Sequence, residues 1–279
     1  MKEPLIVAIE SAQKAGILIK EKIGSITEEE INQKSFSDFV TKVDLECEKT
    51  IITHIKKHFP NHHIMAEESA NDFEKADYLW IIDPLDGTTN FIHGFPFVAI
   101  SIALMYKGEL IIGLIHDPLR NETFYAEKGS GAFVNCFKIT VSKTNEPHLS
   151  LIATGFPFRN KHYIEDYLKI FHKMLHSVND IRRAGSAAID LAYVACGRVD
   201  GFFEYALKPW DIAAGALLIK EAGGVVSDFD GNDKYLLTGD IIAGNPIIHK
   251  FLAGKIKEIL GGVNGQKYCA KDFRVSFII

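Results

Sequence analysis

The sequence has no long apolar run, no cysteine pair and no block of basic residues, and each absence excludes a class of protein. The longest nearly apolar stretch, Phe97 to Tyr106, covers only ten of the 279 residues. A bilayer-spanning helix needs about twenty, so a membrane span is excluded. The four cysteines (Cys47, Cys136, Cys196 and Cys269) are scattered without a C-x-x-C spacing. They read as reduced, semi-buried thiols of a cytoplasmic chain, not as a disulfide framework or a zinc knuckle. Lys and Arg number 31 against 36 Asp and Glu, a net charge of −5. Without clustered basic residues there is no footprint for a nucleic-acid partner. The opening MKEPLIVAIESAQ carries Glu3 and Glu10 and no small-residue cleavage site, so it does not read as a signal peptide. Phosphate-loop and Rossmann glycine fingerprints are missing as well.

What is present is an ordinary globular composition, 47% hydrophobic and 24% charged. Leu5, Ile6, Ile9, Ala12, Ala15, Leu18 and Ile19 form one helical stripe, with Gly24 as its stop. A second helix is expected over Thr41 to Phe59, turning Leu45, Ile51, Ile52 and Ile55 inward. The continuous run Tyr78 to Ile82 (YLWII) predicts a strand buried on both faces, ending at Asp83. Phe97 to Tyr106 and Leu110 to His116 predict a hairpin turning at Lys107-Gly108-Glu109, and Gly129 and Gly131 mark another tight connection. Strands then alternate with helices: strands near Leu149–Thr154, Gly201–Tyr205 and Asp240–Ala243, helices near His162–His176, Ser186–Cys196, Asp211–Ala222 and Pro246–Leu260. The fold class is therefore α/β or α+β in layers. One domain is expected over 1–262, with an α+β part to about 147 and an α/β part from about 148. No pattern places the tail, 263–279.

The chemistry concentrates in Asp83-Pro84-Leu85-Asp86-Gly87-Thr88-Thr89-Asn90. Asp83 and Asp86 fall on one side of a turn, Gly87 permits close approach to the backbone, and Thr88-Thr89 open a helix whose free N–H groups attract an anion. Two unit charges 4 Å apart cost roughly 4 kcal/mol at an effective dielectric of 20. Several such pairs would consume most of a domain stability of about 5–15 kcal/mol unless cations sat between them. Taken alone, Asp83 and Asp86 could simply cap a turn, and Asp211, which opens a small-residue helix, could be an N-cap. Glu67-Glu68 supplies another acid pair after the strand-like His63-Ile64-Met65. Together these acids read as a metal site. Every candidate donor is oxygen, which suits magnesium or manganese and disfavours zinc. Two such ions can clamp the attacking water and the leaving oxygen of a phosphate ester.

These segments resemble the signatures of the inositol monophosphatase family: Asp83 to Asn90 its D-P-x-D-G-T-x-N, Glu67-Glu68-Ser69 its E-E-S, and Trp210 to Gly215 its W-D-x-A-A-G. The resemblance covers roughly residues 4 to 260. It implies a five-layer α-β-α-β-α sandwich, a homodimer, and a lithium-sensitive, magnesium-dependent phosphatase holding two or three Mg2+ per site, with Mn2+ as a substitute. By match of motif, Glu67, Asp83 and the carbonyl of Leu85 should hold the activating ion, and Asp83, Asp86 and Asp211 a second. Gly87 and Thr88 should receive the phosphate through their backbone N–H groups. Asp44, in Val40-Thr41-Lys42-Val43-Asp44, should pair with Thr88 to orient the metal-activated water, with Glu67 completing the catalytic set and Glu68 behind it. Asp86, Gly185, Ala187, Glu204 and Asp211 should meet the alcohol half of a small phosphorylated polyol or sugar.

The implied reaction is hydrolysis of myo-inositol monophosphate to inositol and phosphate. The same chemistry could act on fructose-1,6-bisphosphate, NADP(H) or 3′-phosphoadenosine 5′-phosphate. Enzymes of the last kind tend to carry Lys-Glu after the signature threonine, where this chain has Thr89-Asn90-Phe91. A binding or regulatory protein that keeps the fold without turnover is the alternative of another class. Arg182 and Arg183 could face a second anionic group, a dimer partner or a surface carboxylate, and Glu204 could be a solvated strand end. His54 and His58 read as a solvated helix face, Asp228 to Asp233 as a hairpin turn, and Cys196 as core.

Overall fold

In the computed structural model, residues 3–35, 38–69 and 76–261 are described; the tail 263–279 and Cys269 lie outside them. Five layers stack on one another. Helices α1 (Glu3–Lys22) and α2 (Lys42–His58) cover one face of a seven-stranded sheet, and α5 (Ala187–Ala195) and α6 (Pro209–Glu221) cover its other face. The same α5 and α6 pack on a five-stranded sheet, whose far side is covered by α4 (Ile164–Leu175) and α8 (Pro246–Gly261).

The large sheet runs in the order β3 (His63–Ala66), β4 (Tyr78–Asp86), β5 (Ala99–Tyr106), β6 (Glu109–Asp117), β7 (Glu122–Glu127), β8 (Gly131–Val134), β9 (Phe137–Ile139). Only its β3–β4 pair is parallel. The small sheet runs β11 (Asp180–Arg182), β10 (Leu151–Thr154), β12 (Gly201–Glu204), β14 (Ile241–Gly244), β13 (Val225–Ser227). A separate hairpin joins β1 (Ile31–Ser35) to β2 (Asp38–Thr41). Two short helices, α3 (Thr88–Ile92) and α7 (Tyr235–Thr238), and three 3-10 turns complete the described elements.

The three cores follow from strand alternation. On β4, Leu79 and Ile81 enter the central core with α5 and α6, while Trp80, Ile82 and Leu85 enter the core beneath α1 and α2. A strand buried on both faces therefore carries the first acids. The hairpin turn holds Lys107 and Gly108 at φ 49° and 82°, the left-handed pair a two-residue turn requires.

Helix α6 fits between two sheets because its residues are small. A Cβ on Gly113 of β6 would lie 2.5 Å from the Ala214 carbonyl, and one on Gly215 would lie 2.4 Å from Leu191 Cβ. Ala213, Ala214 and Gly215 thus set how closely the helix start, and Asp211 with it, approaches β4 and β5.

Several expectations are corrected. Ile6 and Leu45 are exposed (42% and 49%), and the helices instead bury Val7, Ala8, Val43 and Cys47, because each apolar arc is rotated one position from the assumed stripe. Strand β4 continues past Asp83 to Asp86, so Asp83 lies inside it. Asp211 is the third residue of α6, not its N-cap, since Pro209 at the first helical position starts the helix two residues earlier. Cys136 is exposed, on the sharp turn between β8 and β9. Arg182, left open between several partners, takes the surface one: it is exposed and pairs with Asp180 two residues before it on the edge strand β11.

Candidate active site

The site begins at an irregularity in β4. Its pairing with β5 shifts register between Asp83, opposite Ser101, and Asp86, opposite Ala99. Pro84 has no N–H to offer a ladder, which is why a proline inside a strand marks such a bulge. The Leu85 N–H donates to Asp83 Oδ1 at 2.9 Å, closing the bulge on a side chain. Gly87 follows at φ 92°, where a Cβ would lie 2.9 Å from the Phe97 carbonyl and 3.3 Å from that of Gly185. Only glycine fits there.

Helix α3 then starts at Thr88. Its hydroxyl lies 3.0 Å from Asp44 Oδ1 and 3.2 Å from the Leu85 carbonyl, two acceptors within reach of its one proton. Asp44 is fixed by the start of α2, where Thr41 is the N-cap and its N–H donates to Asp44 Oδ2 at 2.8 Å. Asp44 is buried behind Thr88 and does not line the cavity described below. Burial raises its pKa, against the hydrogen bonds it accepts.

Three further elements deliver acids. The parallel pairing of β3 to β4 continues to Glu67, whose N–H donates to the Ile82 carbonyl at 3.1 Å. Lys34 on β1 reaches across to Glu68 at 2.6 Å and Glu67 at 4.0 Å. Asp211 accepts the Lys208 N–H at 2.7 Å, and Ser101 of β5 donates to the Trp210 carbonyl at 2.9 Å, tying the start of α6 to the sheet.

Asp83, Asp86 and Asp211 thereby converge, each offering a carboxylate oxygen so that all lie within 4.8 Å of one another. Burial pushes Asp83 well above the ordinary range, with the charges of Glu67, Asp86 and Asp211 adding to it. Burial and the Asp211 charge raise Asp86 to about 7, and burial and the same charge raise Glu67 to about 8. Asp211 is itself raised by burial, opposed chiefly by the Arg159 charge. These acids repel one another in a low-dielectric wall, and an all-oxygen donor set of this kind fits a hard divalent cation such as Mg2+ or Mn2+.

Asp86 also joins the two halves of the chain. Its Oδ2 accepts from Ser186 Oγ at 2.6 Å and from the Ala188 N–H at 2.7 Å, at the N-terminus of α5. That capping holds the carboxyl in place and favours its charge. Asn90 donates to the Ala184 carbonyl at 2.9 Å and the Phe97 carbonyl at 2.8 Å, clamping the approach to Gly185 onto α3. Gly185 is itself held at φ 93°.

A cavity of about 720 Å3 opens over these residues, and Gly87, Thr88, Ala187 and Glu204 share its lining with the acids. Glu204 is not a solvated strand end: a Cβ on Gly155 would lie 1.9 Å from its Oε1, and burial pushes its pKa up to about 8. All the residues expected at the site thus meet in one region of the fold. Sequence reasoning missed Lys34, Ser186, Asp190, and the loop after β10 that brings Gly155, Phe156, Phe158 and Arg159 to the cavity. The T-G-F-P-F-R-N run at 154–160, where a strand gives way to Gly, Pro and aromatics, was the available signal for that loop. Arg183, left open between several partners, lies over the rings of Phe156 and Phe158 at 5.3 and 5.5 Å.

The same fold recurs in known proteins. The profile of the inositol monophosphatase family matches residues 1–260. The chain belongs to that family. Nus factor SuhB of Escherichia coli K12 is 47% identical over 257 residues, covering 92% of this chain and 96% of that protein. Among solved structures, the extragenic suppressor protein suhB of Bartonella henselae superposes with a TM-score of 0.88 at 40% identity, over 92% of this chain and 99% of that one. An IMPase from Thermotoga maritima gives 0.85 at 40% identity, over 94% and 99%. Inositol monophosphatase relatives are metal-dependent phosphatases of small phosphorylated substrates, and the fold here is theirs. No helix among the described residues is long and apolar enough to cross a membrane.

Proposed function

We propose that this chain is a magnesium-dependent phosphomonoesterase that hydrolyses myo-inositol monophosphate to inositol and phosphate. The observation that carries the reading is the convergence of Asp83, Asp86 and Asp211 in the wall of a cavity shared with Thr88 and Glu204. Glu67, Asp83, the Leu85 carbonyl, Asp86 and Asp211 are assigned to hold the ions. When bound, those ions neutralise the acid wall, polarise the phosphate ester and lower the pKa of the attacking water.

The chain's own groups do the rest. The Thr88 hydroxyl donates its one proton to Asp44, leaving its lone pairs to accept from a water and aim that water at phosphorus. The N–H groups of Gly87 and Thr88, at the start of α3, face the phosphate. Asp86 is already fixed by Ser186 and Ala188, so no reorganisation is needed to present its other oxygen. Glu204 accepts from hydroxyls of the leaving alcohol, beside Gly185 and Ala187. Lys34 and Arg159 offset part of the negative charge before ions arrive.

The identity to proteins named Nus factor SuhB supports a regulatory or binding role as a second reading. It does not displace hydrolysis, because every motif acid is retained. Lithium inhibition, a homodimer and a cytoplasmic location belong to the leading reading. The test is phosphate release from a panel of inositol, sugar and nucleotide phosphates with and without Mg2+. The expected result is Mg2+-dependent release, strongest for myo-inositol monophosphate and lost in Asp86→Asn. Release independent of divalent ions, or strongest for a bisphosphate or nucleotide, would overturn the proposal.

A further inference from the structure

The loop after β10 carries a cation to the acid cavity on a backbone held from both sides. The Phe156 ring meets Tyr167 and Phe171 of α4 nearly edge-on, with centroids 5.5 and 6.1 Å apart. Arg183 lies over both Phe156 and Phe158. The Asn160 N–H donates to the Pro157 carbonyl at 3.2 Å, closing a turn across Arg159. The Arg159 side chain is exposed, yet it lines the same cavity as Glu67, Asp83, Asp86 and Asp211. Asp83 and Asp211 are only 1% and 6% exposed, so Arg159 stands on the solvent side of the acids.

Its charge bears on carboxylates from four elements. It is the leading influence against the burial that raises Asp211, and it opposes the rise of Glu67, Asp86 and Glu204 as well. Lys34 is engaged elsewhere, 2.6 Å from Glu68. A charge count decides what loading does to Arg159. Glu67, Asp83, Asp86 and Asp211 carry four negative charges when ionised, and two divalent ions cancel them. Before loading, the guanidinium and an incoming ion are drawn to the same negative field and repel each other. After loading, that field is gone, and the strongest partner left to the guanidinium is an anion in the cavity. A phosphate group offers its planar fork two oxygens.

Resting on the phosphatase reading above, we infer that Arg159 changes partner as the site loads. While the divalent ions are absent it stands in for them, lowering the affinity of the acid wall for Mg2+. Once they are bound it turns to the phosphate group. Arg159 therefore sets how much Mg2+ the protein needs and couples ion loading to retention of phosphate.

The test is isothermal titration of Mg2+ into the wild type, Arg159→Gln and Arg159→Lys, at low ionic strength, where an exposed charge is least screened. Inorganic phosphate is then titrated into each protein saturated with Mg2+. Arg159→Gln should bind Mg2+ about five- to tenfold more tightly than the wild type. It should bind phosphate about tenfold more weakly. Arg159→Lys keeps the charge and should bind Mg2+ as the wild type does. Damage to the fold weakens metal binding, so a gain in Mg2+ affinity cannot come from a merely structural role. Mg2+ affinity unchanged or reduced in Arg159→Gln, or phosphate affinity unchanged, would overturn the inference, as would Arg159→Lys matching Arg159→Gln toward Mg2+. If the wild type itself shows no saturable Mg2+ binding, the phosphatase reading and the exchange fall together. If it binds Mg2+ and Arg159→Gln matches it in both titrations, only the exchange falls.

Discussion

The Thr88 hydroxyl donates to Asp44 Oδ1 across 3.0 Å, joining the start of α3 to the first turn of α2. Because Asp44 is sealed behind Thr88, it acts on the site only by positioning that hydroxyl. Thr88→Val keeps the shape and removes the donor. It should lower kcat about 10²-fold or more, with KM within a few-fold, as steady-state phosphate release would show. Thr88→Ser should retain most of the activity. If Thr88→Val turns over like the wild type, the water-orienting role is wrong.

Glu204 depends on the absence of a side chain at residue 155. A Cβ there would meet its Oε1 at 1.9 Å, so Gly155→Ala must displace the carboxylate. The KM for a polyol phosphate should rise about tenfold, while stability changes little, because the displaced group is the end of a flexible side chain in a cavity wall. Gly254→Ala on α8, where a Cβ meets nothing within 4 Å, is the control. It should be neutral or stabilising by about 0.5–1 kcal/mol. Equal effects of the two substitutions would refute the packing argument.

Stability should depend on pH through buried groups that pull in opposite directions. Asp86 and Glu67 are raised to about 7 and about 8, from an unfolded value around 4. The folded chain therefore holds more protons than the unfolded chain between those values. Their contribution is complete below pH 4 and is lost as pH rises through 7 to 8. His116, packed against Gly16 and Thr123, is lowered by burial to about 4, so its contribution is present above pH 6.5 and is lost as pH falls toward 4. In EDTA, the two acids should lower Tm as pH rises from about 4 to 8, His116 offsetting part of that loss below pH 6.5. Saturating Mg2+ should abolish the decline between pH 6.5 and 8, because ionised carboxylates are the ligands, and should add ~2.7 kcal/mol at a hundredfold excess over Kd. Scanning calorimetry at several pH values reads it; a decline over that range identical with and without Mg2+ would contradict the metal site.

The sequence made the contiguous parts of this structure legible. The alternation of β4, the Lys107-Gly108 turn and the spacing of Asp83 to Asn90 are local properties, and local patterns report on local geometry. What it concealed is settled by contacts between distant segments. Nothing near Lys34 announces that the β1–β2 hairpin will carry it to Glu68. Leu45 falls within the helical stripe yet faces outward, because where α1 and α2 meet decides which arc is buried. Asp86 reads as an acid at a turn, and only the approach of α5 reveals it as the cap of a second helix.

The central claim is that acids from β4, α6 and the segment after β3 form one divalent-cation site. Isothermal titration of Mg2+ into the wild type and into Asp86→Asn tests it most directly. Saturable binding in the wild type, weakened at least tenfold or lost in Asp86→Asn while thermal unfolding shows the variant folded, is the expected result. No saturable heat in the wild type, or equal binding by both proteins, would contradict it.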